Sequence, residues 1–357
     1  MLMTHPVMSA EQAHAYEQQL LYRRDLQWEA LENAGRRVGH LLYRDFHELA
    51  NWPRQARILL LVGKGHNGGD ALMAGVELRS RLPESQIYVL PTAPREDWRG
   101  LTQRAYEELE ATGPVYEVNT PTAANYLFDA CIDGALGMRS RPTLKDDLRE
   151  TLLMLNEHPH IGVRAAVDLP SGLGDNDAFR ADFTYATGIV KEPVLDPDQA
   201  AYVGRLRYAD IGFFEPSIAS QAPETSVRVC ADVMLRPWLK MRPPGDDKRS
   251  YGHLLVLAGH RTMPGALLMN VRTALRSGTG LVTAFAAESV APALAAAAPE
   301  AMWVPFPETP DGGLALEGRH LVERKVPRAT ALLMGSGMGD DEETQALRDS
   351  LIETVPV

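Results

Sequence analysis

The 357-residue sequence predicts an α/β fold, a mainly parallel sheet with helices on both faces, divided between two domains. Three observations predict it. Short apolar runs at residues 58–62, 87–90, 127–132, 163–169, 182–187 and 206–211 alternate with amphipathic stretches such as 101–111 and 144–155. The chain is too long for one ordinary core. A stretch rich in proline and charge lies between residues 213 and 249, and a new series of apolar runs follows it. The expected division is a first domain over 1–225, a linker over 226–249 and a second domain over 250–357.

Composition narrows the function classes. The formal net charge of −11 argues against nucleic acid or a membrane surface as a partner. The N-terminus has no basic region followed by an apolar run, and no apolar stretch approaches the ~20 residues that span a bilayer. A cytoplasmic protein is expected, with self-association left open. The two cysteines, Cys131 and Cys230, sit among apolar residues and are expected to pack as small hydrophobes.

Taken in order, residues 10–50 read as helical throughout, with Leu20, Leu21, Leu26, Trp28, Leu31, Val38 and Leu41 at helical spacing. Next comes "ARILLLVGKGHNGGDALMAG". Its all-apolar run 58–62 suits a strand buried on both faces, and a helix is expected over 71–82. Gly63, Gly65, Gly68 and Gly69 are expected to allow positive φ and a close ligand, with an anion such as pyrophosphate at the helix start. The spacing matches neither a Walker phosphate loop nor a clean G-x-G-x-x-G. Asp70 would repel an anion there unless a cation lies between them. A plain strand-to-helix turn accounts for this stretch equally well.

In parallel sheets the ligand site lies at the carboxyl ends of the strands. Three such ends carry polar residues: Asn67 and Asp70 in the first, Asp133 in "LFDACIDGALG", and Asp168 and Ser171 in "AAVDLPSGLGD". Singly, each reads as a turn or cap residue. Together they point to one assembled site. An amide oxygen, carboxylates and a hydroxyl are hard oxygen ligands, suited to an alkali or alkaline-earth ion rather than zinc.

Beyond the linker, expected strands at 254–257 and 281–285 flank a helix through 269–275, and a run at 331–334 ends in Gly335, Gly337 and Gly339. Residues 294–300 read as a helix end. About four elements are too few to cover a sheet on both faces. The second domain is therefore expected to be unfinished, with residues 254–257 and 331–334 exposed.

These residues resemble a known family, the bifunctional NAD(P)H-hydrate epimerase / ADP-dependent NAD(P)H-hydrate dehydratase, a metabolite-repair enzyme. In family order stand "LQWEALENAG", "GHNGGDALMAG", "DGALGM", "VDLPSGL", "ADFTYATGIVK" and "YADIGF". In the second half stand "YGHLLVLAGHRTMPGA", "ALRSGTGLVTAF", "PEAM" and "LLMGSGMG". The resemblance implies a Rossmann-like three-layer α/β/α N-terminal domain followed by a partial ribokinase-like domain. It implies one potassium ion (K+) held by Asn67, Asp133 and Ser171. It places the hydrated nucleotide against His66, Asn67, Gly68, Gly69, Asp70, Asp168 and the segment Gly137, Met138, Arg139, Ser140, Arg141, Pro142 and Thr143. Asp168 is the implied acid/base. In the second domain Ala266 and Gly337 would touch the hydrated nicotinamide, and ADP with Mg2+ would serve dehydration.

Three departures stand out: His66 replaces the usual Asn, "GMRSRP" replaces a Gly-Thr-Gly turn, and Ser336 replaces a Pro. The family's ADP-binding stretch and catalytic Gly-Asp segment would lie beyond Val357, so epimerisation without dehydration is expected. Rival classes are a non-catalytic nucleotide-binding or scaffold module and a small-molecule kinase.

Overall fold

A computed structural model describes residues 4–137, 144–215, 222–235, 239 and 241–354, and the chain forms two compact units, Met1–Leu239 and Lys240–Val357. The first begins with strand β1 (Thr4–Met8) and helix α1 (Ala10–Leu20), which Ser9 and Gln12 start with a reciprocal capping box. Helix α2 (Arg24–Leu49) is separate, so the continuous helix expected over 10–50 is two. The two helices serve different cores. Ala13 and Tyr16 of α1 pack with Phe213 and Phe214, whereas Trp28, Leu31, Val38 and Leu42 of α2 join the main core.

The rest of this unit comprises β2 (Arg57–Val62), α3 (His66–Arg81), β3 (Gln86–Pro91), α4 (Gly100–Ala111), β4 (Val115–Glu117), α5 (Thr120–Ala123), β5 (Phe128–Gly134) and α6 (Asp146–Glu157). Then come β6 (Ile161–Val167), β7 (Phe183–Thr187), β8 (Val190–Lys191), α7 (Ala200–Val203), β9 (Arg205–Ala209) and β10 (Arg228–Cys230). Seven strands make a wholly parallel sheet in the order β4-β3-β2-β5-β6-β7-β9. In β2, Ile58, Leu60 and Val62 enter one core and Leu59 and Leu61 the other. That two-sided burial is why the run is apolar at every position. Strand β6 ends at Val167 rather than at the expected 169, because Asp168 turns to φ 65°.

Strand order runs outward from β2 through β3 and β4, then restarts on the other side at β5. The crevice between the carboxyl ends of β2 and β5 is the place where such sheets take ligands. A small second sheet, β10-β1-β8, pairs Met8 with Lys191 and Thr4 with Cys230. Residues 228–230 thus pair within this unit although they lie in the stretch expected as linker. Cys131 is buried as expected, but Cys230 is exposed because β10 is an edge strand. Among the described residues no helix is long and apolar enough to cross a membrane.

The second unit contains β11 (His253–Leu257), α8 (Pro264–Arg276), β12 (Leu281–Ala287), α9 (Ala291–Ala297), β13 (Met302–Phe306), α10 (Arg319–Glu323), β14 (Ala331–Met334) and α11 (Glu342–Thr354). Its strands form a parallel sheet in the order β13-β12-β11-β14. The expectation of an uncovered sheet is corrected. Leu267 and Val271 of α8 and Leu294 of α9 cover one face, while Val322 of α10 and Leu347 and Leu351 of α11 cover the other. Leu255, Val256 and Leu257 are fully buried between them. Only the edge strand β14 keeps part of the expected exposure, with Leu333 39% exposed.

In the first unit, α2 and α3 approach backbone to backbone. A Cβ placed on Gly35 would lie 2.4 Å from Met73 Cβ and 2.5 Å from Asp70 O, and one on Gly39 would lie 2.6 Å from Ala74 O. Neither contact can be relieved by a flexible side chain. Gly35→Ala is therefore expected to lower unfolding stability by about 1–3 kcal/mol. A urea midpoint equal to that of the parent would show that the two helices separate freely.

Candidate active site

Helix α3 begins at His66, with Gly65 as its N-cap, five residues before the helix expected from sequence. His66, Asn67, Gly68, Gly69 and Asp70 therefore occupy its first turns rather than a loop. None of Gly63, Gly65, Gly68 and Gly69 has positive φ, contrary to expectation. Closeness explains these glycines instead. A Cβ on Gly63 would meet Ala135 O at 1.9 Å, one on Gly68 would meet Gly63 O at 2.0 Å, and one on Gly69 would meet Leu31 Cδ1 at 2.7 Å. Gly65 alone has open space before it and lines the cavity.

The three residues expected to hold a cation form one hydrogen-bonded cluster. Asn67 Nδ2 donates to Leu136 O and Val167 O, both at 3.1 Å. Leu136 N donates to Ser171 Oγ at 2.8 Å, and Ser171 Oγ donates to Asp133 Oδ1 at 2.7 Å. Asp133 is 0% exposed and also accepts from Ala135 N and Ser171 N, so every donor it meets is neutral. Burial pushes its pKa up to about 6, partly offset by those hydrogen bonds. Among the described residues Asn67 Oδ1 receives no hydrogen bond. Among the described residues the buried carboxylate has no cationic partner and the amide oxygen no donor, a set of hard oxygens whose chemistry suits a monovalent cation. No group of three or more His, Cys, Asp or Glu that could hold a metal occurs among the described residues.

Asp168 lies beyond β6, 3% exposed and in the left-handed backbone region, where Asp is among the better tolerated residues. Its Oδ1 accepts from Lys191 Nζ at 2.6 Å and from Thr187 Oγ1 at 3.4 Å. Lys191, on β8 and 1% exposed, also stands 3.7 Å from Glu17 Oε1 of α1. Burial opposes the ammonium, but Asp168 and Glu17 outweigh it and hold its pKa above the ordinary value. Burial raises Glu17 as well, against the pull of Lys191. Asp70 is 7% exposed, and burial, followed by the charge of Asp168, pushes it well above the usual carboxylate range. Sequence reasoning missed Lys191, Glu17 and Thr187. A lysine closing the apolar run "TYATGIVK" was a usable sign, whereas Glu17 looks like any polar residue of a helix.

Glu17, Asn67, Asp70, Asp168, Thr187 and Lys191 line a cavity of about 500 Å³, with Gly137, Lys64 and Arg99, whereas Asp133 and Ser171 do not. Met138, Arg139, Ser140, Arg141, Pro142 and Thr143 lie outside the described residues. Arg99 N donates to Lys64 O and Thr102 Oγ1 to Gly65 O, fixing the start of α4 beside the start of α3. In the second unit, Ala266 and Gly337 are brought together: a Cβ on Gly337, at φ 66°, would lie 2.6 Å from Ala266 Cβ.

Residues 29–192 match the family model described as YjeF-related protein N-terminus, and residues 254–357 match that of NAD(P)H-hydrate dehydratase. The chain is 29% identical over 341 residues to the bifunctional NAD(P)H-hydrate repair enzyme Nnr of Moorella thermoacetica, covering 92% of this chain and 62% of that one. It is 30% identical over 330 residues to the enzyme of the same name from Gloeobacter violaceus, covering 89% and 62%. The corresponding protein of Thermofilum pendens is 28% identical, covering 91% and 61%. The chain thus spans about three fifths of the length of the curated relatives it matches.

The buried acids have a measurable consequence for stability. An acid whose pKa is raised by folding destabilises the fold once pH exceeds its unfolded value of about 3.9, and the penalty grows as pH rises toward the folded value. Asp70→Asn removes that penalty. It is expected to raise the melting temperature at pH 7, by roughly 2–4 °C per kcal/mol recovered, with the difference vanishing below about pH 4. A variant melting below the parent at pH 7 would mean that Asp70 is stabilised by a partner.

Proposed function

The chain belongs to the family of the bifunctional NAD(P)H-hydrate repair enzymes, and from that premise we propose that its first unit interconverts the R and S hydrates of NADH and NADPH. The observation that carries this reading is the buried Asp168–Lys191 pair, opening into a cavity at the crevice between β2 and β5. A binding or scaffold module has no need of a strained, buried carboxylate in its cleft.

The substrate is a reduced nicotinamide that has added water across a ring double bond. Its hydroxyl-bearing carbon is bonded to the ring nitrogen, whose lone pair stabilises the cation left when the C–O bond breaks. Water returning to the opposite face completes the inversion. Asp168 manages the proton and stabilises the developing positive charge. The amides at the start of α3, with Lys64 and Arg99, suit the pyrophosphate. His66, Asn67, Gly68, Asp70 and Gly137, which line the cavity, would contact the hydrated nucleotide, with Gly69 behind them in the same turn. Asn67, Asp133 and Ser171 would hold K+, whose low charge density makes it an organiser of the loop and phosphate rather than a strong Lewis acid. For the second unit, ADP-dependent dehydration with Mg2+ and contacts from Ala266 and Gly337 are what its family supports. The reading proposed for this chain rests on its first unit.

Two measurements test it. Asp168→Asn keeps the backbone conformation, since Asn also tolerates the left-handed region, but cannot take up a proton near neutral pH. Interconversion of purified R and S hydrates, followed by chromatography with the spontaneous rate subtracted, should fall by about 10²–10⁴-fold. Because Lys191 then keeps only Glu17 beside it, a melting curve is recorded in parallel. A folded variant of near-parental rate would assign the proton to another group. Potassium should also raise the melting temperature more than sodium at equal ionic strength, because an ion bound only by the folded state stabilises it. Identical curves in the two salts would remove the cation from the reading.

A further inference from the structure

Inversion by loss and return of water asks two opposite services of one cavity. The departing hydroxyl needs a proton as its bond to carbon breaks, and the returning water must lose one as its new bond forms. Resting on the epimerase reading above, we propose that the two services fall to different carboxyls: Asp70 supplies the proton to the departing hydroxyl, and Asp168 receives the proton of the returning water.

The division follows from how each group is held. Both donors that reach Asp168, Lys191 Nζ and Thr187 Oγ1, point at Oδ1, and among the described residues Oδ2 receives none. A carboxylate with one oxygen pinned by an ammonium and the other without a donor among the described residues, in a residue that lines the cavity, is arranged to accept. Asp70 is arranged oppositely. It lines the same cavity from the second turn of α3 and is buried, yet its carboxyl has no hydrogen-bond partner among the described residues. An O–H there has no acceptor among the described residues to occupy it and is left for whatever fills the cavity. Among the described residues, the charged groups acting on Asp70 are Asp168, Lys191 of β8 and Glu17 of α1, two anions against one cation. Burial and this surplus favour its neutral form. Glu17 is a weaker candidate because Lys191 stands 3.7 Å from its carboxylate. Two carboxyls held in unlike surroundings can run acid and base steps side by side.

The step balances. The C–O bond breaks as Asp70 gives its proton, one water leaves, and the ring nitrogen's lone pair carries the cation. Water then bonds to the opposite face of the same carbon and its proton passes to Asp168. Return of that proton from Asp168 to Asp70 through solvent restores the site, with no net gain or loss.

The test is the pH dependence of hydrate interconversion by the full chain, using purified R-NADPH hydrate between about pH 5 and 9. The parent's kcat/KM should fall on the alkaline side as Asp70 loses its proton. Asp70→Asn should lose about 10²–10⁴-fold in rate and, in what remains, the alkaline limb, while Asp168→Asn should lose rate by about the same factor and keep the alkaline limb. A merely structural Asp70 would change the rate without removing a limb. Asp70→Asn with a rate within about threefold of the parent, or with the alkaline limb intact, overturns the assignment. A parent chain with no interconversion above the spontaneous rate overturns the epimerase reading itself, and that result is obtained before any variant is compared.

Discussion

Where α3 meets the ends of β2 and β5, backbone lies on backbone. The carbonyls of Gly63, Asn67 and Ala135 fill the space that side chains on Gly68, Gly134 and Gly63 would need, at 2.0, 2.4 and 1.9 Å from the missing Cβ atoms. On the opposite side Gly35 lets α2 close onto Asp70 O. This contact fixes where the first two turns of α3 can lie. With those turns fixed, the amide of Asn67 reaches Leu136 O and Val167 O, and so bridges the ends of β5 and β6. Asp70, one turn further on, is placed within the field of Asp168 and Lys191.

That placement gathers three carboxyls, Glu17, Asp70 and Asp168, around one buried ammonium. Such a grouping does not serve stability. Buried charges lose hydration that pairing only partly returns, and a carboxyl without a partner loses most. The unit offsets this with an apolar core on each face of its seven-stranded sheet and a second small sheet that pins β8, and with it Lys191, beside the N-terminal strand. Buried charges grouped in a cleft at a cost to the fold are what the proton chemistry proposed above would need.

In the second unit, strand-face alternation divides β11 between two cores. Val256 packs under α8 and α9, and Leu255 and Leu257 pack under α10 and α11. About four elements are legible there from sequence; α10 and α11 complete the second covered face, and the strand at Met302–Phe306 extends the sheet. Met302–Phe306 carries Trp and Pro and is only partly buried, so it lacks the apolar signature of its neighbours.

From sequence alone, the apolar runs established the parallel sheet, because strands buried on both faces tolerate no polar position. The strand-end residues Asn67, Asp133, Asp168 and Ser171 were legible as one site because the carboxyl ends of parallel strands lie together. Periodicity also marked the helices, although it placed the start of α3 too late: glycines argue against helix locally, and only packing on Ala135, Leu31 and α2 shows why they are required. Tertiary structure alone decided that Lys191 and Glu17 belong with Asp168. They come from β8 and α1, joined through β1, and their meeting depends on long-range strand pairing that leaves no local periodic pattern. It also decided which carboxyls are buried beside which charges.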